Sequence, residues 1–212
     1  MIPHMYTPPA FREDDPATLA RMIREARLST LVTATAEGLV ATPLPLFLDE
    51  TEGALGTLYG HLARANRQWS LPPEGEALAI FSGPDAYVTP NWYPAKREHG
   101  KAVPTWNYAA VHVYGPVEFF DDKERLREAV TRLTDLYEKP RAEPWAVSDA
   151  PAGFIDAQLR GIVGLRMPIA RLEGKLKMSQ NRSAADRQGV AAGLAESDLP
   201  AERVVAGMVR LD

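Results

Sequence analysis

The 212-residue chain contains no cysteine. That excludes a disulfide framework, thiolate zinc or iron–sulfur ligation and a cysteine nucleophile. Any redox chemistry must therefore reside on a bound group. The four histidines, His4, His61, His99 and His112, show no ligand spacing such as H-E-x-x-H, so no metal site is expected. Neither G-x-x-x-x-G-K-[ST] nor G-x-G-x-x-G occurs, and no G-x-S-x-G elbow, which leaves Walker, Rossmann and α/β-hydrolase chemistry without support. No side chain stands out as a catalytic acid or base. No apolar run approaches bilayer length, and the start has neither a basic n-region nor an apolar h-region; a cytoplasmic protein with no membrane partner is expected. Positive charge is also short: 24 Lys and Arg against 28 Asp and Glu give net −4, a body that repels nucleic acid overall.

What remains is ordinary globular composition, 45% hydrophobic and 25% charged, enough for one compact domain over 1–212. Asp15 and Pro16 open a helix that carries Leu19, Met22, Ile23 and Ala26 to about Leu28. Ser29–Ala36 is β-branched, Glu37-Gly38 punctuates, and Leu39–Leu48 returns as a strand whose Pro43 and Pro45 require an edge or an irregular segment. A strand over Leu55–His61 feeds one or two helical turns at 62–69, and a strand over Ala77–Phe81 is closed by the turn residues Ser82–Asp85. Residues 94–101 read as a polar, mobile loop. Thr105–Phe120 is a long β segment bent at Gly115-Pro116, and 121–160 form a helical insertion whose first helix is capped by Asp121 or Asp122. A strand over Ile162–Ile169 is placed at an edge by Pro168, and helices occupy about 183–212. There is no internal repeat and no recognisable helix-turn-helix. Strands dominate the middle and helices decorate it, which predicts a mainly β (α+β) barrel or sandwich rather than a doubly wound sheet.

Two basic constellations carry the chemistry. In His61-Leu-Ala-Arg64-Ala-Asn66, a strand-to-helix junction offers backbone N–H groups, a helix dipole and the Arg64 fork to an anion. The same pattern also describes a surface arginine and a helix-capping asparagine. In Lys175-Leu-Lys177-Met-Ser179, alternation places two cations and a hydroxyl on one strand face, unless this is a solvated, charge-protected edge. Arg171–Arg187 holds five cations and two anions, a local +3, which leaves −7 on the rest. Tyr87, Trp92, Tyr93, Trp106, Asn107 and Tyr108 flank the polar loop; they either wall a planar ligand or pack as core.

Several strings together resemble the PaiB family of FMN-binding, negative transcriptional regulator-like proteins. They are Tyr6–Phe11, His61–Asn66, Tyr87–Tyr93, Val103–Tyr108, Gly161–Gly164 and Gly174–Arg182, in that order, within a match from about Tyr6 to Leu194. The resemblance implies an antiparallel split β-barrel with peripheral helices, a homodimer, flavin mononucleotide (FMN) as cofactor, and kinship with pyridoxine phosphate oxidase-like and flavin reductase-like proteins. It places the flavin ring against Thr42, Pro43 and Leu44, and the phosphate near His61, Arg64 and Asn66. It also places Lys177, Ser179, Gln180 and Arg182 around the phosphate or ring, with Trp106 as a cover. A transcriptional regulator is implied, with direct DNA binding possible but weakly supported, since the net charge is negative. A flavin reductase-like oxidoreductase using NAD(P)H and a non-catalytic flavin-sensing protein are the alternatives.

Overall fold

A computed structural model describes residues 4–211. Met1, Ile2, Pro3 and Asp212, which belong to the expected 1–212 span and the helical stretch ending at 212, lie outside the described residues. The chain runs β1 (Arg12–Glu13), α1 (Pro16–Glu25), β2 (Ser29–Thr35), β3 (Gly38–Leu44), β4 (Leu46–Asp49), β5 (Thr57–Ala63) and β6 (Ala77–Val88). Next come α2 (Pro94–His99), β7 (Thr105–Gly115), β8 (Glu118–Phe120), α3 (Lys123–Glu138) and α4 (Ala152–Arg160). The chain closes with β9 (Ile162–Pro168), β10 (Arg171–Lys177), α5 (Ala184–Ala195) and α6 (Pro200–Met208). The pairings of β1 with β10, β2 with β3 and β6, β5 with β4 and β9, and β8 with β9 are all antiparallel. This is the expected mainly β arrangement with helices. The chain forms two compact units, the first comprising residues up to Met22, Ser82–Val111 and Glu173 onward, the second Ile23–Phe81 and His112–Leu172.

In the first unit the strands follow the order β1, β10, β7, β6. Ser82–Asp85, expected as a turn, continues β6 instead. Gly83 is there because β7 passes close: a Cβ on it would lie 2.7 Å from that of Ala109. A composition read as turn-forming cannot reveal such a close approach. The stretch expected as a mobile loop holds α2, begun by Pro94 and ended by Gly100 in the left-handed region at φ 71°. Asp15 accepts a hydrogen bond from the Thr18 N–H at 2.9 Å and so caps α1 as expected. Helix α5, capped by Ser183, presses two glycines onto Trp92; a Cβ on Gly189 would lie 2.0 Å from the Trp92 carbonyl and one on Gly193 2.3 Å from its indole.

In the second unit β6, β2 and β3 are consecutive, and β3 ends the strand order. The hairpin register pairs Ser29 with Leu44 and Thr35 with Gly38, which takes φ 115° at the turn. Pro43 thus sits on an edge strand, where its missing N–H costs no ladder bond. The other sheet runs β4, β5, β9, β8. Strand β9 is therefore interior, contrary to the edge position inferred from Pro168. The proline is tolerated because it is the last residue, opposite Thr57 and beyond Arg166, where pairing with β8 ends. Helix α3 is capped by Asp122 and buries Leu126, Ala129 and Leu133. Leu126 joins Phe120, Val147, Ile155 and Leu159 in one cluster.

Candidate functional site

In the second unit, pairing with β9 carries β5 through Ala63, which opposes Ile162, so the expected helix start at 62–69 shrinks to a four-residue 3-10 turn, Arg67–Ser70. Arg64 precedes that turn and gains no helix dipole. Its Nε donates to the Arg160 carbonyl at 2.9 Å and its Nη2 to that of Ile162 at 3.2 Å, while its backbone N–H bonds Gly161 at 2.8 Å. Nη1 lies 3.6 Å from Asp121, and the Trp69 indole donates to the Arg64 carbonyl at 2.8 Å. The guanidinium thus ties the α4–β9 corner to the end of β5. A cavity of about 200 Å³ lined by Arg64, Asp121, Lys123, Asp156 and Arg160 adjoins it.

Asn66 is the cap: its Oδ1 accepts from the Gln68 N–H at 2.9 Å, and its Nδ2 donates to Thr42 Oγ1 at 2.8 Å. This brings Thr42 and Asn66 together. Pro43 is exposed on the β3 edge and Leu44 is buried. His61, opposite Gly164, has a buried Nδ1 without a hydrogen-bond partner, and burial pushes its imidazole down, toward the neutral ring.

In the first unit the cationic strand end is not a solvated edge. Lys175 is only 6% exposed; its Nζ donates to the Tyr6 carbonyl at 2.8 Å and lies 5.1 Å from the Tyr108 ring centre. Lys177 Nζ donates to Thr105 Oγ1 and, at 2.5 Å, to the Trp106 carbonyl, and lies 6.0 Å from the same ring. Both lysines therefore share one face, as alternation required. The Arg182 guanidinium sits 4.9 Å over Tyr93. Among the described residues no carboxylate pairs with Lys175, Lys177 or Arg182. Burial pushes the Lys177 ammonium below the ordinary lysine range, and the positive charges of Lys175 and Arg182 push it further.

The turn after β10 is tightly specified. Ser179 is the one described non-glycine residue in the left-handed region, at φ 64°. Its Oγ donates to Asn107 Oδ1 at 3.1 Å, and Asn107 is wholly buried with its Nδ2 unpartnered. Gln180 turns inward: its Oε1 accepts from the Met178 N–H at 2.6 Å and its Nε2 donates to the Leu176 carbonyl at 2.5 Å. It shapes the turn with both ends of its amide. Trp106 is 53% exposed and meets Tyr87 edge to face at 5.8 Å. Lys175, Asn107, Tyr93 and Tyr108 join the cluster, although the family resemblance placed none of them at the flavin. Lys175 was signalled by alternation, whereas nothing in Trp-Asn-Tyr marks the buried amide.

Donors exceed acceptors throughout this cluster. Lys177 has two acceptors for the three N–H groups of an ammonium, Asn107 has an orphaned amide, and three cations form no ion pair among the described residues. A phosphate dianion supplies what is missing, so the residues fit the phosphate end of a flavin nucleotide.

The antiparallel framework with flanking helices is the fold of flavin-binding split-barrel proteins. Among solved structures it resembles the FAD and haem binding protein from Mycobacterium smegmatis, with a TM-score of 0.58 at 17% identity over 86% of this chain and 80% of that one. Residues 5–171 match the family model described as "Putative FMN-binding domain". The chain is 31% identical to the Protease synthase and sporulation protein PAI 2 of Bacillus subtilis, over 97% of this chain and 96% of that protein. It is 33% identical to an uncharacterised protein of Emericella nidulans, again over 97% and 96%. The chain belongs to this PaiB-like FMN-binding family, and its cofactor is FMN. The cationic cluster from Lys175 onward lies beyond the residues the family model matches.

Proposed function

We propose that the protein is a flavin-dependent regulatory protein whose first unit seats the FMN phosphate on Lys175, Lys177 and Arg182, on the turn built by Ser179, Gln180 and Asn107. The observation that carries this is the trio of buried and half-buried cations that, among the described residues, form no ion pair with a carboxylate. When bound, FMN supplies one- and two-electron redox chemistry. Lys177 would give its third N–H to a phosphate oxygen, and Arg182, held over Tyr93, would present a planar fork to another. The exposed Trp106 offers an aromatic face beside them.

The regulatory part of the reading draws on the full-length likeness to a protein named for protease synthesis and sporulation. Direct grip on a duplex is not favoured. The cations of the +3 segment pack against rings: Arg171 lies 3.6 Å over Tyr114, Lys175 is buried, and Arg182 stacks on Tyr93. They are not arrayed along an exposed stripe. Regulation then runs through a partner that reads the flavin-bound state. The test combines three measurements on one preparation: FMN titration by fluorescence quenching, stopped-flow reduction by NADH and NADPH, and promoter gel shifts at moderate salt. Saturable FMN binding without multiple-turnover reduction or a gel shift is expected. Rapid turnover with an electron acceptor would replace the regulatory reading with an oxidoreductase, and a salt-dependent shift would restore direct DNA binding.

A further inference from the structure

We propose that Lys177 is a nucleophilic lysine that captures small anionic carbonyl compounds as a Schiff base. The proposal uses the anion-binding cluster of the preceding section but does not require that its anion be FMN. It rests first on the hydrogen-bond count at one atom. Nζ has two protein acceptors, Thr105 Oγ1 and the Trp106 carbonyl. A neutral amine has two N–H groups, so both are used, and the lone pair is left at the third tetrahedral position, where no protein group competes for it. An ammonium leaves a third N–H unanswered there. Among the described residues no carboxylate is paired with it, and the charges that act on it are Lys175 on β10 and Arg182 after it, both cationic; the phenols of Tyr6, Tyr108 and Tyr93 stand against these cations, and Asp186 on α5 acts on Tyr93. A desolvated lysine beside other cations is an established way to obtain a free amine near neutral pH, and the direction of the Lys177 shift agrees.

The same neighbours select the substrate. Lys175 and Arg182 attract a carboxylate or phosphate, which brings an adjacent carbonyl carbon toward Nζ and replaces a bimolecular encounter with an oriented one. In the step, the Nζ lone pair forms the N–C bond while the carbonyl π electrons move to oxygen. Protons shift from nitrogen to oxygen through solvent, the C–O bond breaks, and water leaves to give C=N. Nothing is oxidised or reduced.

The chain has six lysines, and Lys96, Lys101, Lys123 and Lys139 are all exposed, which makes the competition easy to score. The full chain is incubated with glyoxylate and sodium cyanoborohydride at mildly alkaline pH, and carboxymethyl-lysine is mapped by peptide mass spectrometry. Label at Lys177 is expected to exceed that at each exposed lysine by on the order of tenfold, about what one charge-assisted contact from Lys175 or Arg182 to the carboxylate adds. Uncharged formaldehyde should lose most of this preference. Label spread over the lysines in proportion to exposure, or total glyoxylate label unchanged in Lys177→Arg, overturns the proposal. A parallel arm with saturating FMN separates the two readings. Protection of Lys177 supports both. Labelling of Lys177 undiminished by FMN that binds elsewhere keeps the nucleophile and removes the phosphate placement.

Discussion

Replacing Lys177 by Met keeps most of the stem and removes the charge from the centre of the cationic cluster. Lys177 is half-buried and the charges that act on it are those of Lys175 and Arg182, so in the FMN complex its remaining N–H would make a charge-assisted contact to phosphate in a partly desolvated setting. Such contacts contribute about 1.5–3 kcal/mol. The dissociation constant for FMN should therefore rise by about 10- to 150-fold. Two compensating effects bear on that figure. Thr105 Oγ1 and the Trp106 carbonyl lose their donor, which lowers the stability of the free protein, while relief of repulsion with Lys175 and Arg182 raises it. Neither alters the contact that the phosphate itself loses. Fluorescence quenching of FMN at fixed salt measures the affinity, and a thermal melt of the flavin-free variant confirms that it is folded. An affinity within about twofold of wild type, in a folded variant, refutes the placement of the phosphate.

Arg64→Ala should act on folding rather than on the flavin. It leaves the carbonyls of Arg160 and Ile162 without their donor, which costs about 0.5–1.5 kcal/mol in urea denaturation; a large loss of FMN affinity at unchanged stability would instead make Arg64 a phosphate ligand. Gly164→Ala sets a Cβ 2.4 Å from the Phe120 ring, and the overpacking should cost about 1–3 kcal/mol, recovered in part by shrinking Phe120 to Leu; a neutral Gly164→Ala would show that the ring is free to move. Asp49, hydrogen-bonded by Thr51 and then by Arg132, has its carboxyl held at about 2 instead of 3.8. The folded state thus binds fewer protons than the unfolded one in that interval, and stability present above pH 4 should fall as acid is added toward pH 2. Urea midpoints across this range should drop less in Asp49→Asn, and equal slopes would contradict the assignment.

The parts legible in the sequence were those whose determinants are local. The β2–β3 hairpin announced itself through β-branched residues around a glycine that must take positive φ, and α3 through its Asp122 cap and apolar stripe. Alternation correctly put Lys175 and Lys177 on one face. What could not be read depends on partners far along the chain. Arg64 looked like an anion clamp because its acceptors are main-chain carbonyls 96 and 98 residues away, and a carbonyl leaves no trace in residue type. Ser179 and Asn107, 72 residues apart, meet only after β7 and β10 are side by side. Ser82–Asp85 misled for the converse reason: its Gly83 answers the close approach of Ala109 rather than a turn.

The central claim is that the cluster at the end of β10 grips a phosphate monoester. Titrating wild-type protein with FMN and with riboflavin, which share the ring and differ by that phosphate, tests it most directly. FMN should bind tighter by at least about tenfold, the equivalent of one charge-assisted contact; equal affinities for the two would contradict the account.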